Sequence, residues 1–530
     1  MEIPIIDIFA GPGGLGEGFS SFIEPKFKKK VFNIALSIEK EKYAHQTLTL
    51  RSFYRQFNIN KVPSEYYDFI KGKLSLDNLF EAYPIQAKNA KNEAWKAQLG
   101  ENINATSNKE IDERISLALN GKKDWLLIGG PPCQAYSIVG RSRRKDKLLD
   151  EKKDIRVGLY KQYLRVLALH SPSVFVMENV KGLLSAKTKS NSVFENIIND
   201  LSNPAKAHDV KHGSKKVILK CPGYKIYSLV SKPRGFDKNN NPIFRPEDYL
   251  IYSEMYGIPQ TRHRVILLGI RNDINFSEPK VLSKEKEVFV EQVLNGLPKL
   301  RSGLSKTNDT DVEWISTLNI INEITTLRRI DSEVWCEVKK SLQNIKVPTH
   351  GIGDEFIYDT ITSKYKPDWY LNKKLLGISN HQSRGHMKSD LLRYLFVSCF
   401  GKVRGRSPKL EDFPEELLPA HKNVKLVIKE KKFTDRFRVQ LSNAPAKTIT
   451  SHISKDGHYF IHPDPLQCRS FTVREAARIQ TFPDDYFFCG PRTAQFIQVG
   501  NAVPPLLANK IAKIVFEIFD EIVSNKSMHY

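Results

Sequence analysis

The sequence predicts an α/β protein whose largely parallel sheet is covered by helices on both faces. Two observations carry this. Short runs rich in Val, Ile and Leu recur along the chain, and helical patterns separate them. Continuous rather than alternating apolar runs mean strands buried on both faces, as parallel sheets require. The first run, Ile3-Pro4-Ile5-Ile6-Asp7-Ile8-Phe9, passes into glycines and a helix beginning near Gly16. A second, Ala35-Leu36-Ser37-Ile38, ends at Glu39. Further strands are expected at 125–128, at Val174-Phe175-Val176-Met177 and at Val265-Ile266-Leu267-Leu268. Leu159, Tyr163, Leu164, Val166 and Leu167 have helical spacing.

The rhythm breaks twice. Residues from about 50 to 98 form a Lys- and Asn-rich, partly helical insertion between two strands. Residues 271–440 are more polar, with the basic clusters Ser383-Arg384-Gly385-His386 and Gly401-Lys402-Val403-Arg404-Gly405-Arg406. They read as a second domain of unassigned fold. Beyond it, Thr472 to Gln480 has the form of an N-capped helix, and Pro504 to about Val523 that of a long amphipathic one with proline near its start.

With 530 residues the chain should divide into two or three domains. Lys and Arg number 82 against 59 Asp and Glu, a formal charge of +23. That balance argues for a polyanionic partner, usually nucleic acid. No apolar run reaches the roughly 20 residues of a membrane span, so a protein of the cytoplasm, associated with the nucleoid, is expected. The six cysteines, Cys133, Cys221, Cys336, Cys399, Cys468 and Cys489, form no C-x-x-C pair. A disulfide framework and a zinc cluster are therefore not expected, and no metal site is assigned.

Two segments carry chemistry. Phe9-Ala10-Gly11-Pro12-Gly13-Gly14-Leu15-Gly16 follows a strand and opens a helix, which suits either a tight turn or the close approach of a cofactor. Glu39, at the end of the next strand, favours the cofactor, since an acid there can accept from ribose hydroxyls. No phosphate-cradling Gly-Lys-Ser/Thr loop is present; an adenosine cofactor such as S-adenosylmethionine fits better. The second segment is Pro131-Pro132-Cys133-Gln134, directly after Trp125-Leu126-Leu127-Ile128-Gly129-Gly130. A cysteine at the end of a buried strand reads as a nucleophile.

These residues resemble the cytosine carbon-5 DNA methyltransferases, in the family's order. The resemblance rests on Asp7 to Gly14, Gly130 to Ser137, Asp154-Ile155-Arg156-Val157-Gly158-Leu159-Tyr160, Glu178-Asn179-Val180, Gln260-Thr261-Arg262-His263-Arg264, Arg474 to Gln480 and Gln498 to Pro504. It covers roughly 1–48, 99–270 and 440–520, and lapses in the insertion and the middle domain. It implies a Rossmann-like catalytic domain over 1–270, a smaller target-recognition domain over 271–440, and a segment, 441–530, that bridges the two and completes the first. It also implies that Phe9, Gly11, Gly13 and Gly14 belong to the S-adenosylmethionine pocket, with Glu39 on the ribose, Glu101 on adenine, Pro132 and Leu159 lining the site, and Asn501 near the methionine end. Two departures stand out. Lys40 replaces an aromatic common in the family, and Gly100-Glu101-Asn102-Ile103 matches its Gly-Asp-Ile segment only approximately.

The chemistry suits the residues. Carbon 5 of cytosine is too weak a nucleophile to take a methyl group directly, and a thiolate added at carbon 6 makes the ring enamine-like. The resemblance gives that step to Cys133. Glu178, ending its strand, can hydrogen-bond the N3 and amino edge, and when protonated can donate; Asn179 either orients it or simply turns the chain. Arg262 and Arg264 alternate, which points both guanidiniums to one side; the resemblance favours Arg264 for the base and Arg262 for support. After Gln134 and Ser137 comes Gly140-Arg141-Ser142-Arg143-Arg144-Lys145, a basic loop that in the family closes over DNA, implying phosphate contacts from Arg141, Arg143 and Arg144. The basic clusters of the middle domain and Thr448, in Ala446-Lys447-Thr448-Ile449-Thr450, are further candidates for DNA contact.

The expected function is methylation of a cytosine flipped from double-stranded DNA, plausibly as the modification half of a bacterial restriction-modification or related phage-defence system, with a cognate restriction endonuclease as a possible partner and no membrane contact. The alternatives are a transfer-RNA methyltransferase of the same fold and a catalytically silent DNA-binding homologue.

Overall fold

The computed structural model describes residues 2–100, 102–131, 155–188, 191–212, 221–420 and 434–527. An eight-stranded sheet organises the first half. Its strands are β1 (Ile3–Ile8), β2 (Phe32–Glu39), β3 (Ala94–Lys96), β4 (Leu126–Gly129), β5 (Val174–Val180), β6 (Tyr224–Tyr227), β7 (Leu250–Tyr252) and β8 (His263–Arg271). The order is 3-2-1-4-5-8-6, with β7 pairing β8 beside β6. The first five strands are parallel, and β8 runs antiparallel to β5, β6 and β7. Strand order therefore reverses between β1 and β4. In open α/β sheets the crevice for a ligand lies at such a point, beyond the carboxyl ends of the strands.

Successive side chains of a strand enter opposite cores. Ile5 and Ile128 face one apolar core, and Ile6, Ile8 and Leu127 the other. Helix α1 (Gly14–Ser20) and the long α7 (Pro505–Ser527) cover the first face; α3 (Ile155–His170), through Tyr163, Leu164 and Leu167, covers the second. The α1–α7 crossing depends on Gly18. A Cβ there would lie 2.3 Å from the Pro505 carbonyl oxygen and 2.4 Å from the Ala508 Cβ, so any side chain would force the helices apart. Helix α1 begins at Gly14, two residues before the position expected.

The insertion is more ordered than its composition suggests. Helix α2 (Lys42–Arg55) leads into helices at Ser64–Ile70, Leu76–Ala82 and Pro84–Glu93 before β3 joins the sheet edge. Phe53, Tyr66, Leu79 and Ala90 bury a core of their own, closed by Leu375 and Cys489 from distant parts of the chain.

Past β8 the chain builds a second body around α4 (Lys388–Arg404), whose Leu391, Leu395, Phe396 and Phe400 pack with Trp314, Val334 and Phe413. It returns through α5 (Val473–Ile479) and α6 (Arg492–Asn501) to α7. The start of α5 follows from its sequence: the Thr472 hydroxyl accepts from the Glu475 N–H, and the Glu475 carboxylate accepts from the Thr472 N–H. That carboxylate also takes both Nη groups of buried Arg469, while Arg478 pairs with Asp484 through two nitrogens. Part of the chain's excess of arginine thus serves its interior.

The two basic clusters of the middle region also have partners within the protein. Arg384 stacks on Phe496 and donates to the Ile453 and Lys455 carbonyls, with Ser383 and His386 buried beside it. Lys402 pairs with Glu337, Arg404 with Asp331 and Glu333, and Arg406 with Asp412. Among the described residues no helix is long and apolar enough to cross a membrane.

Candidate functional site

The carboxyl ends of β1, β2, β4 and β5 converge on one edge, and Phe9, Gly11, Gly13, Glu39 and Glu178 lie there. After β1 the backbone enters the left-handed region three times, at Phe9 (φ 59°), Gly11 (φ 59°) and Gly13 (φ 91°). Only the two glycines adopt it without steric cost. The Gly13 N–H donates to the Ala10 carbonyl, closing the turn. Gly14 lies against the return segment, where a Cβ would be 2.2 Å from the Val503 carbonyl oxygen. Asn501 is exposed two residues earlier, at the end of α6. Beside Gly11 the space is open, with no described atom within 4 Å of where a Cβ would stand.

Glu39 ends β2 with its carboxylate turned to this loop. One oxygen accepts from the Gly11 N–H at 2.8 Å and the other from the Glu41 N–H at 2.7 Å. Burial raises its pKa, and these backbone donors act in the opposite direction. With the Lys40 N–H as a third backbone donor, the carboxylate is fixed beside an open glycine turn at the switch point of the sheet, a position that fits the ribose of an adenosine cofactor. Leu159, half-buried on α3, lies 3.6 Å from the Cβ position of Gly100 and brings that loop to the same edge. Lys40 is exposed.

A second group forms where β4 and β5 end. A Cβ on Gly130 would stand 3.0 Å from Oε2 of Glu178, so the chain leaving β4 passes directly over that carboxylate. Antiparallel pairing sets Val180 opposite Arg264 and Glu178 opposite Ile266. The Arg264 Nε lies 2.8 Å from Glu178 Oε1, with both side chains about 15 % exposed. Its N–H is not aimed at that oxygen, so the contact is an ion pair without a directed hydrogen bond. Asn179 is buried and accepts from the Val180 N–H, which holds the strand end.

Arg262 precedes β8 and is fully buried. Its Nη1 donates to the carbonyls of Ile449 (2.7 Å) and Gly500 (3.3 Å). Burial, then the charge of Arg264, depress its pKa. It therefore ties the end of the sheet to the return segment while Arg264 meets the carboxylate. Gln260 reinforces the tie, accepting from the Ile449 N–H and donating to the Ile479 carbonyl and Gln480 Oε1. Thr448, half-buried, donates to the Thr261 carbonyl. Glu101, Pro132, Cys133, Gln134, Ser137, Arg141, Arg143 and Arg144 lie outside the described residues.

Sequence reasoning missed two features. Asp7 is fully buried in β1, and neither carboxylate oxygen has a hydrogen-bond partner among the described residues. Its position inside an apolar run was the only signal. Tyr486 donates to the Pro12 carbonyl across the fold, and nothing in its neighbourhood in sequence announces this.

Comparison with known proteins agrees with this geometry. The family model "C-5 cytosine-specific DNA methylase" matches residues 73–205 and 244–517, running through the middle region where the motif resemblance lapses. The type II methyltransferase M.Bpa9945I of Bacillus paralicheniformis is 32% identical over 532 residues, 97% of this chain and 99% of the relative. The type II methyltransferase M.DdeI of Desulfomicrobium norvegicum is 24% identical, covering 98% of this chain and 89% of the relative. The DNA (cytosine-5-)-methyltransferase M.ApeKI of Aeropyrum pernix is 25% identical over 76% of this chain and 83% of its own length. A glycine turn with its strand-end acid, a Glu–Arg pair beside Gly130, and a family match over most of the length lead to one conclusion: the chain belongs to the C-5 cytosine-specific DNA methylase family.

Proposed function

We propose that the enzyme transfers a methyl group from S-adenosylmethionine to carbon 5 of a cytosine extruded from a specific duplex DNA sequence, through a covalent Cys133 adduct. The observation that carries the reading is the adjacency of Gly130, Glu178 and Arg264. At Gly130, three positions before Cys133 in sequence, the chain leaves β4 directly over a carboxylate that the Arg264 guanidinium meets. Glu39 and the Phe9–Gly14 turn, with Gly11, Gly13, Gly14, Leu159, Pro132, Glu101 and Asn501, would hold S-adenosylmethionine, which when bound would supply an electrophilic methyl group.

The rest falls to the chain's own residues. Glu178 holds the N3 and amino edge of the base, and Arg264 braces its carbonyl with a planar donor pair. The Cys133 thiolate forms a bond to carbon 6, and the electron pair of the 5,6 double bond moves to carbon 5, which becomes the nucleophile. After methylation, loss of the carbon 5 proton and departure of the thiolate restore the ring. Extrusion of the base costs a few kcal/mol. Phosphate contacts from Arg141, Arg143 and Arg144, with Gln134, Ser137 and Thr448 nearer the base, offset that cost. Arg262 holds Ile449 and so keeps Thr448 at the site.

In this reading 1–270 is the catalytic domain, 271–440 reads the target sequence, and 441–530 links them and completes the catalytic fold. The protein works in the cytoplasm on the nucleoid as the modification component of a restriction-modification system, beside a cognate endonuclease. The type II designation of its relatives supports this. A duplex carrying 5-fluorocytosine tests the mechanism, since carbon 5 then has no proton to lose. A cofactor-dependent covalent complex should form with the wild type and vanish in Cys133→Ser. An adduct that survives the substitution rules the mechanism out.

A further inference from the structure

We propose that Arg51 and Tyr486 are positioning residues for the cofactor turn, and that the insertion acts on cofactor affinity through them; the inference rests on Phe9–Gly14 being the S-adenosylmethionine site. The Tyr486 hydroxyl donates to the Pro12 carbonyl, the middle of a turn built from three left-handed residues. A Cβ on Gly13 would stand 3.0 Å from that hydroxyl and 2.7 Å from Leu48 Cδ2 of α2. The turn therefore rests on a floor made jointly by α2 and the return segment.

Arg51 fixes that floor. Its Nε and Nη2 donate to the two oxygens of Glu17 on α1, at 2.9 and 2.6 Å, and its Nη1 to Oδ1 of Asp485 at 3.0 Å. The guanidinium lies over Tyr54 and Tyr486, with its carbon 4.1 and 4.9 Å from the ring centroids. One planar group thus holds the helix that follows the turn, the residue before Tyr486, and the face of Tyr486 itself. The second oxygen of Asp485 accepts from the Tyr54 hydroxyl at 2.9 Å and from Nδ2 of Asn372, in the middle body, at 2.7 Å. Glu93, at the far end of the insertion, accepts from Arg55 and, at 2.6 Å, from the Ser52 hydroxyl.

Such a cluster is a poor choice for stability alone. Desolvating ion pairs costs about as much as their attraction returns, and apolar residues of equal volume do as well or better. Direction is what a bidentate, stacked guanidinium provides beyond packing. The effect to look for is a change in cofactor affinity that leaves the fold in place.

Tyr486→Phe keeps the ring and removes the donor from the Pro12 carbonyl; Arg51→Lys keeps the charge and loses the fork. In each, the Kd for S-adenosylhomocysteine by calorimetry and the KM for S-adenosylmethionine should rise together by about five- to tenfold. KM for DNA and kcat should stay near wild type in both variants, and the melting temperature near wild type in Tyr486→Phe. Unchanged cofactor affinity in the folded variants overturns the proposal. So does a parallel loss of melting temperature and DNA binding, which assigns the cluster a purely structural role. If the wild type binds no S-adenosylhomocysteine, the functional reading fails and this inference with it; normal wild-type binding with unaffected variants sinks the inference alone.

Discussion

The Nε of Arg264 lies 2.8 Å from Oε1 of Glu178, although the two residues enter the site on antiparallel strands 86 positions apart in sequence. The pairing follows from register, since β8 sets Ile266 across from Glu178 and so brings Arg264 within reach of that carboxylate. Both side chains thus stand together at the sheet edge, and on the proposed reading a base would meet the two from the same side. Glu178→Gln and Arg264→Lys should each lower kcat by on the order of 10²–10³, the cost of losing one preorganised donor or acceptor. Transfer of a labelled methyl group to duplex DNA measures it. An Arg264→Lys variant as fast as wild type removes the fork from the mechanism.

Asp7 makes a different prediction. Burial, then the negative charge of Glu39, holds its carboxyl well above the usual range. The folded protein therefore binds a proton that the unfolded chain has lost, and stability falls as pH rises from about 4, the ordinary Asp value, to the raised folded value. Asp7→Asn removes that titration. Urea unfolding at several pH values should show a flatter dependence in the variant, with its advantage over wild type growing toward neutral pH. Parallel profiles refute the assignment.

The ion pairs of the middle region separate two sources of DNA affinity. Arg404 and Arg406 already hold carboxylates, so replacing both with Ala should leave the salt dependence of DNA binding nearly unchanged. Replacing Arg141, Arg143 and Arg144 together should flatten it, by roughly 0.9 in the slope of log K against log salt for each phosphate no longer neutralised. Fluorescence anisotropy with a fixed duplex gives both slopes. An effect of equal size in the two variants contradicts the division.

Much of this fold was legible because burial on both faces writes strands as continuous apolar runs, and the sheet uses Ile3–Ile8, Leu126–Gly129 and Val174–Val180 as such. Glu39 was legible as an acid at a strand end, whereas Glu178, read as the end of a strand whose apolar run stops at Met177, sits inside one that continues to Val180. Long-range partners left no trace. Arg51 reads as one more basic residue on a polar helix, and its task appears only when residues 34 and 434 positions away are brought to it. The basic clusters hid partners in the same way, since Asp331, Glu333 and Asp412 reach Arg404 and Arg406 from outside the run.

The packing of α7 against α1 also bears on how the protein is made. The ribosome has finished the last sheet strand by Arg271, yet the helix that covers one apolar face begins only at Pro505. At roughly 5–20 residues per second, ten seconds or more of synthesis pass with that greasy surface only partly covered. Over that interval α1 alone shields this face of the sheet, and the second cover arrives only with α7.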